Sequence, residues 1–270
     1  MMKKLFTLFV VGLAFFGFSS AVAQTQYAIL SNFEKNTLQA DHVDLVSPKV
    51  AVSRGEIPAI QARQFKAVFS NQNPLIRSYV VSPKASVSLL TFPSLAAKPA
   101  TLENLRLMVS NSDDLPSEFE STPIFALSVS GGVVTAIKQV NTRVFTGVYE
   151  QAVLISKKTV FNPLKLVLDF VNVYGSDREM RRVGQTMNDN PGGLMISNTN
   201  AALRNFNFAK DGRVRLLKSA SEFMFVTPKE LEAGLNGKDF GWLFDWETYF
   251  YAIISDVTGE VFELRQGYVP

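Results

Sequence analysis

Cysteine is absent from all 270 residues, and histidine occurs once, at position 42. The first absence excludes disulfide frameworks and thiolate metal sites, so stability has to come from packing and hydrogen-bonded sheet. The second excludes histidine-rich zinc sites and H-E-x-x-H signatures. Neither G-x-G-x-x-G nor a Gly-Lys-Ser phosphate loop occurs, which leaves nucleotide chemistry without support. A G-x-S-x-G nucleophile elbow is also missing. The nearest run, Ser128-Val129-Ser130-Gly131-Gly132, reads as a hairpin turn, because glycine accepts the positive φ of tight turns. No cofactor and no metal are expected, and no catalytic residue is assigned.

Long apolar runs are lacking beyond the opening segment. There, Lys3 and Lys4 precede the apolar stretch Leu5 to Phe18, and Ala21-Val22-Ala23 supplies the small-x-small pattern of a signal peptidase site. Fourteen residues rise only about 21 Å as a helix, short of a bilayer core. Residues 1–23 therefore read as a cleaved signal peptide, and the mature chain as a protein without a transmembrane segment. The expected location is the periplasm, or the cell surface after secretion.

Net charge is lacking too. Loss of Lys3 and Lys4 leaves 25 basic against 24 acidic side chains, so the basic pI of the whole chain is no argument for nucleic acid. Nucleic acid is excluded as a partner.

What is present points to sheet. Gln26–Leu30, Val43–Val52, Gln64–Ser70, Ile76–Ser82, Ala85–Phe92 and Leu105–Ser110 are short runs rich in β-formers, punctuated by prolines that would break helices. Ser86-Val87-Ser88-Leu89 shows the period of two of a half-wet sheet. Further strands are expected at 124–130, 133–139, 142–149 and 153–156, and extended segments at 194–197 and 214–217. A helical turn is expected at 201–204. Leu164–Tyr174 is compatible with either a helix opened by Asn162-Pro163 or a strand. A capping box from Ser176 to Glu179 suggests a helix over 178–187, and Thr227-Pro228-Lys229-Glu230 suggests one over 228–233. Tyr249–Ser255 and Val261–Arg265 read as a closing hairpin.

The fold class is mainly β with minor α: an antiparallel sandwich-like core, short helices and a C-terminal hairpin. The polar run 111–122 divides residues 24–110 from 123–270 as linker or loop. No internal repeat, low-complexity run or heptad is legible.

The densest chemical feature is Phe240 to Tyr251, which holds both tryptophans. Such rings form rigid contact surfaces for a protein or a sugar, or else a core. Trp242, Phe244, Trp246, Tyr249 and Tyr251 are the candidate binding residues. Asp245 and Glu247 flank Trp246 and form the alternative acid/base pair of a carboxylate-dependent glycan hydrolase. In Asp41-His42-Val43-Asp44 only His42 and Asp44 share a strand face, too few ligands for a metal. The reading is a non-catalytic extracytoplasmic structural or binding protein of the bacterial envelope that meets an envelope protein or surface glycan. The alternative is a glycan hydrolase or carbohydrate-binding module. Self-association into a homo-oligomer is compatible with both.

Overall fold

The computed structural model describes residues 24–72, 74–91, 95–110, 123–175, 180, 184–185, 194–198, 201–219, 222–238 and 248–267. The segment expected as a signal peptide, the polar run 111–122, most of the helix expected over 178–187 and the aromatic run as far as Glu247 lie outside these residues. Among the described residues, no helix is long and apolar enough to cross a membrane.

The chain is mainly β with a few short helices, and its strands form two seven-stranded sheets. The first contains β1 (Gln24–Glu34), β2 (Thr37–Val46), β3 (Val68–Ser70), β4 (Ile76–Thr91), β5 (Ala96–Ala100), β6 (Ile124–Ser130) and β7 (Val133–Gln139). Their order is β3-β2-β1-β6-β7-β4-β5, and an extra β2–β4 ladder closes five of them into a ring. The second contains β8 (Val148–Ile155), β9 (Val160–Phe161), β10 (Leu164–Phe170), β13 (Leu203–Ser219), β14 (Glu222–Val226), β15 (Tyr249–Ser255) and β16 (Glu260–Gln266). Here a β10–β13 ladder closes the ring. Among the described residues, the remaining strands are a small ribbon of β11 (Asn172–Tyr174) and β12 (Met195–Ser197).

Numbered within each ring, the strands run 1-2-3-5-4 and back to 1. The third and fifth are parallel, and a helix lies between the third and fourth. That is the topology of the OB barrel, in which curling removes most of the free sheet edge.

The two barrels repeat each other residue for residue. In the first, Val80, Val81, Ser86 and Val87 pair with Val133, Val134, Ala136 and Ile137, with a bulge after Val81. Adding 127 to every number gives the ladder of the second barrel, Asn207 to Val214 on Glu260 to Leu264, with its irregularity at the same place. The β2–β4 and β10–β13 ladders correspond in all five pairs. The β11–β12 ribbon likewise corresponds to the β2–β3 pairing. Even the fastenings recur. Leu90 N–H donates to the buried Gln139 Oε1 at 3.0 Å, and Leu217 N–H donates to the buried Gln266 Oε1 at 3.0 Å. Asn71 donates to Asp41 at 2.8 Å, and Asn198 donates to Asp169 at 2.6 Å. A repeat absent from the sequence pattern is thus present in the fold.

Strands from both sides of residues 111–122 pair in the first barrel, so the change of sheet comes after Gln139 and not at the polar run. Leu102–Ser110, expected in part as a strand, is helix α2. Thr101 caps it by accepting from Asn104 N–H, and Leu102, Leu105 and Met108 recur at helical spacing toward the core. Further short helices are α1 (Pro48–Ser53), α3 (Thr142–Thr146) and α4 (Pro228–Leu235). The first two occupy stretches expected as strand. The capping box of α4 is present in full, with Thr227 and Glu230 satisfying each other's backbone. Residues 201–204 enter the long β13 and form no helical turn, and Leu164–Tyr174 takes the extended option, where its valines pack well. The C-terminal hairpin lies where expected.

Each barrel has an inner core, built around Phe33, Leu38, Leu127 and Ile137 in one and Leu166, Leu216, Phe250 and Leu264 in the other. A smaller cluster covers the outer side of strands one and four in each. The barrels join through the turn at 59–64 and the β15–β16 hairpin. Ser255 Oγ donates to Gln64 O at 2.7 Å, Thr258 Oγ1 donates to Gln64 Oε1 at 2.6 Å, and Arg63 pairs with Glu260 and Asp211. Arg143 grips both carboxylate oxygens of Asp256, at 2.6 and 2.7 Å.

Candidate functional site

Tyr249 and Tyr251 are 3% and 6% exposed and lie in the outer minor core, with their rings edge to face at 5.5 Å. Alternation along β15 sends Phe250 into the barrel, as a strand requires. The tyrosines nevertheless escape solvent, because Val171, Val173, Leu194 and Ile196 cover them. Trp242, Phe244, Asp245, Trp246 and Glu247 lie outside the described residues.

The sequence reading missed the outer face of the second barrel. On β14, Phe223 and Phe225 are 38% and 66% exposed, because Leu216 and Val226 take the inward positions nearby. The ladder sets Phe225 beside Arg215, and Arg215 beside Arg265. Arg215 and Arg213 lie over the rings of Phe223 and Phe225 at 5.5 and 5.9 Å, a cation–π arrangement. Glu263 accepts from Arg215 at 2.9 Å, and Glu150 accepts from Arg265 at 2.6 Å. The outcome is a stripe of paired charge bordered by two exposed rings. Among the described residues, β14 pairs with β13 alone, and no described strand runs along its other edge. At the matching register the first barrel carries Ala97 and Pro99 opposite Leu90 and Ser88, with Ala136 and Lys138 beyond. One copy has the aromatic edge and the other does not.

His42 is half-buried at the end of the first barrel's interior, on the face of Leu38 and Ala40, while Asp41 turns outward to hold Asn71 and the Leu75 N–H. Burial, and next the charge of Arg77, hold its imidazole below the usual value of 6.5, against the opposing pull of Asp41 and Asp44. Its neighbour is Tyr79, whose Oη lies 2.6 Å from Nε2. No group of three or more histidine or carboxylate side chains suited to a metal occurs among the described residues. What these surfaces offer a ligand is exposed rings with arginines over them on one barrel and a hydroxyl beside an imidazole on the other.

No family model, no curated protein and no solved structure matches the chain.

Proposed function

We propose that this chain is a non-catalytic binding protein of the bacterial envelope, exported by its first 23 residues, that joins a protein partner through the edge strand β14. One observation carries the reading: Phe223 and Phe225 stand exposed on an edge strand, with arginines laid over them. An open edge offers backbone donors and acceptors to an added strand, and alternate side chains supply its specificity. Aromatic and arginine side chains are also those most enriched where partners bind tightly. The near-zero net charge of the mature chain fits recognition by packing better than by long-range attraction.

The test is capture of partners from envelope extract by the mature protein, beside a Phe223→Glu/Phe225→Glu variant. Both side chains are exposed, so the variant should keep its fold, checked by circular dichroism. A partner held by the parent and lost by the variant supports the reading. Identical capture by both overturns the edge as the site. Recovery of the intact, unprocessed chain from the cytosol of its native cell would overturn the export part.

A further inference from the structure

We infer that the mouth of the first barrel is a binding site for an uncharged saccharide, and that the same position in the second barrel has been sealed.

The repeated fold makes the comparison internal. His42 and Tyr79 of the first barrel occupy the register positions of Phe170 and Phe206 in the second. The ring pairs are disposed alike: centroids 5.7 Å apart with planes at 10° in one, 5.9 Å apart with planes at 10° in the other. The backbone and ring geometry have been kept while the chemistry differs. A purely structural role for this pair is served by two phenylalanines, as the second barrel demonstrates. Placing a phenol and the only imidazole of the chain there adds hydrogen-bonding capacity that the barrel does not need.

The neighbours differ in the same sense. In the second barrel Gln151 spends its amide on the frame, donating to Ala152 O and Val171 O at 3.1 and 3.2 Å. The Arg204 guanidinium carbon lies over the Phe170 ring, 4.3 Å from its centroid. The counterparts in the first barrel are less committed. Gln26 accepts from Tyr79 Oη at a long 3.4 Å, and Arg77 makes one long bond, 3.4 Å to Leu75 O. Among the described residues, the Gln26 amide N–H and His42 Nδ1 have no partner within the barrel.

The available groups select the ligand class. Gln26, His42 and Tyr79 are connected, and Arg77, Asp41 and Asp44 are near enough to influence the imidazole. Together they supply both donors and acceptors, with one positive charge and two negative ones, of which Asp41 is already engaged by Asn71 and the Leu75 N–H. An anion would meet Asp44 as well as Arg77. A hydroxyl both donates and accepts, and neighbouring hydroxyls on a sugar do so in pairs, which suits this mixed set. The site is separate from the β14 edge and does not depend on it.

Because the chain has one histidine, its imidazole signals report on this mouth alone. The experiment uses the full mature chain with labelled histidine, titrated with maltotriose, cellotriose and N,N′-diacetylchitobiose, and separately with inorganic phosphate. The expected result is a saturable shift of the His42 signals with at least one of the saccharides and none with phosphate. Tyr79→Phe should weaken that binding by about tenfold, roughly the cost of one or two hydrogen bonds. His42→Phe, followed by calorimetry, should do the same. Both variants install residues that the second barrel carries on the same backbone, so a loss of binding is separable from a loss of fold. Silence with all three saccharides up to about 20 mM, a response to phosphate only, or unchanged affinity in both variants overturns the assignment.

Discussion

Gln139 and Gln266 end the fifth strand of each barrel and are 2% and 5% exposed. Each accepts the backbone N–H of a leucine in the long third strand, Leu90 or Leu217, at 3.0 Å. These leucines are also paired with the edge strands β5 and β14. Replacing either glutamine with methionine keeps the length and volume of the side chain and removes the acceptor. The side-chain methylenes are kept, so the main loss is the acceptor of a buried N–H at Leu217 and of a part-buried one at Leu90, worth about 1–3 kcal/mol. For a rigid chain of this size that corresponds to a fall in melting temperature of roughly 2–4 °C per kcal/mol. Urea melts followed by tyrosine and tryptophan fluorescence and by far-ultraviolet dichroism give the free energies. The two variants are expected to lose stability by amounts within about 1 kcal/mol of each other, because the geometry is the same. A loss below about 0.5 kcal/mol at one site, with a full loss at the other, would refute their equivalence and weaken the case for one frame built twice.

Gly267 lies against Tyr249, and a Cβ there would come within 2.0 Å of the ring; Gly267→Ala should cost about 2 kcal/mol by urea melt. The first barrel has Val140 and Ile124 at those positions with the same backbone bond, so Gly267→Val combined with Tyr249→Ile should recover much of the loss. Since the folded protein holds His42 below 6.5, stability is complete above that pH and falls as acid carries the solution down through the folded value. His42→Phe should remove that component from the pH dependence of the urea midpoint. Asp256 is held below its ordinary value chiefly by the hydrogen bond from Arg143, so its contribution is present above about 3.8 and disappears as pH falls through the folded value. Both partners are partly exposed, so a double-mutant cycle on the pair should give less than about 1 kcal/mol, and less again in high salt.

The parts of the fold legible in the sequence are those with local punctuation. Thr227-Pro228-Lys229-Glu230 carries the start of a helix in its own side chains, and Gly131-Gly132 carries a turn, with φ at +56° and +79°. Leu102–Ser110 was less legible, since its cap uses Asn104 and its density of leucine and valine imitates a strand. The repeat is illegible for a different reason. A barrel ladder demands alternation and a few fasteners, so the copies keep scattered residues such as Arg77 and Arg204, or Leu90 and Leu217, and little continuous identity. Ring closure is a long-range event that no window of sequence contains. The same holds for the mouth: His42 meets Tyr79 across 37 residues, although the β2–β4 ladder sets Tyr79 opposite Leu38, so the contact is made across the closed barrel. Of the aromatic run, the described residues include its last three, Tyr249, Phe250 and Tyr251, all of them in core.

Two copies of one frame in one chain allow residues to be sorted by physics. Where both copies keep the same contact, as in the Asp41–Asn71 and Asp169–Asn198 bonds, the barrel itself requires it. Where a change in one residue is matched by a change in its neighbour, as with Ile124 and Val140 against Tyr249 and Gly267, the pair conserves packing volume and says nothing of a ligand. The informative positions are those where the backbone and geometry persist while polarity changes without such a compensation. His42 with Tyr79 against Phe170 with Phe206 is one case, and Phe223 with Phe225 against Ala97 with Pro99 is the other. Each copy carries one of these features and lacks the other. A molecule that needed two identical sites would have kept both alike, so the division fits the two proposed sites taking different ligands, one on each of two barrels joined through Gln64.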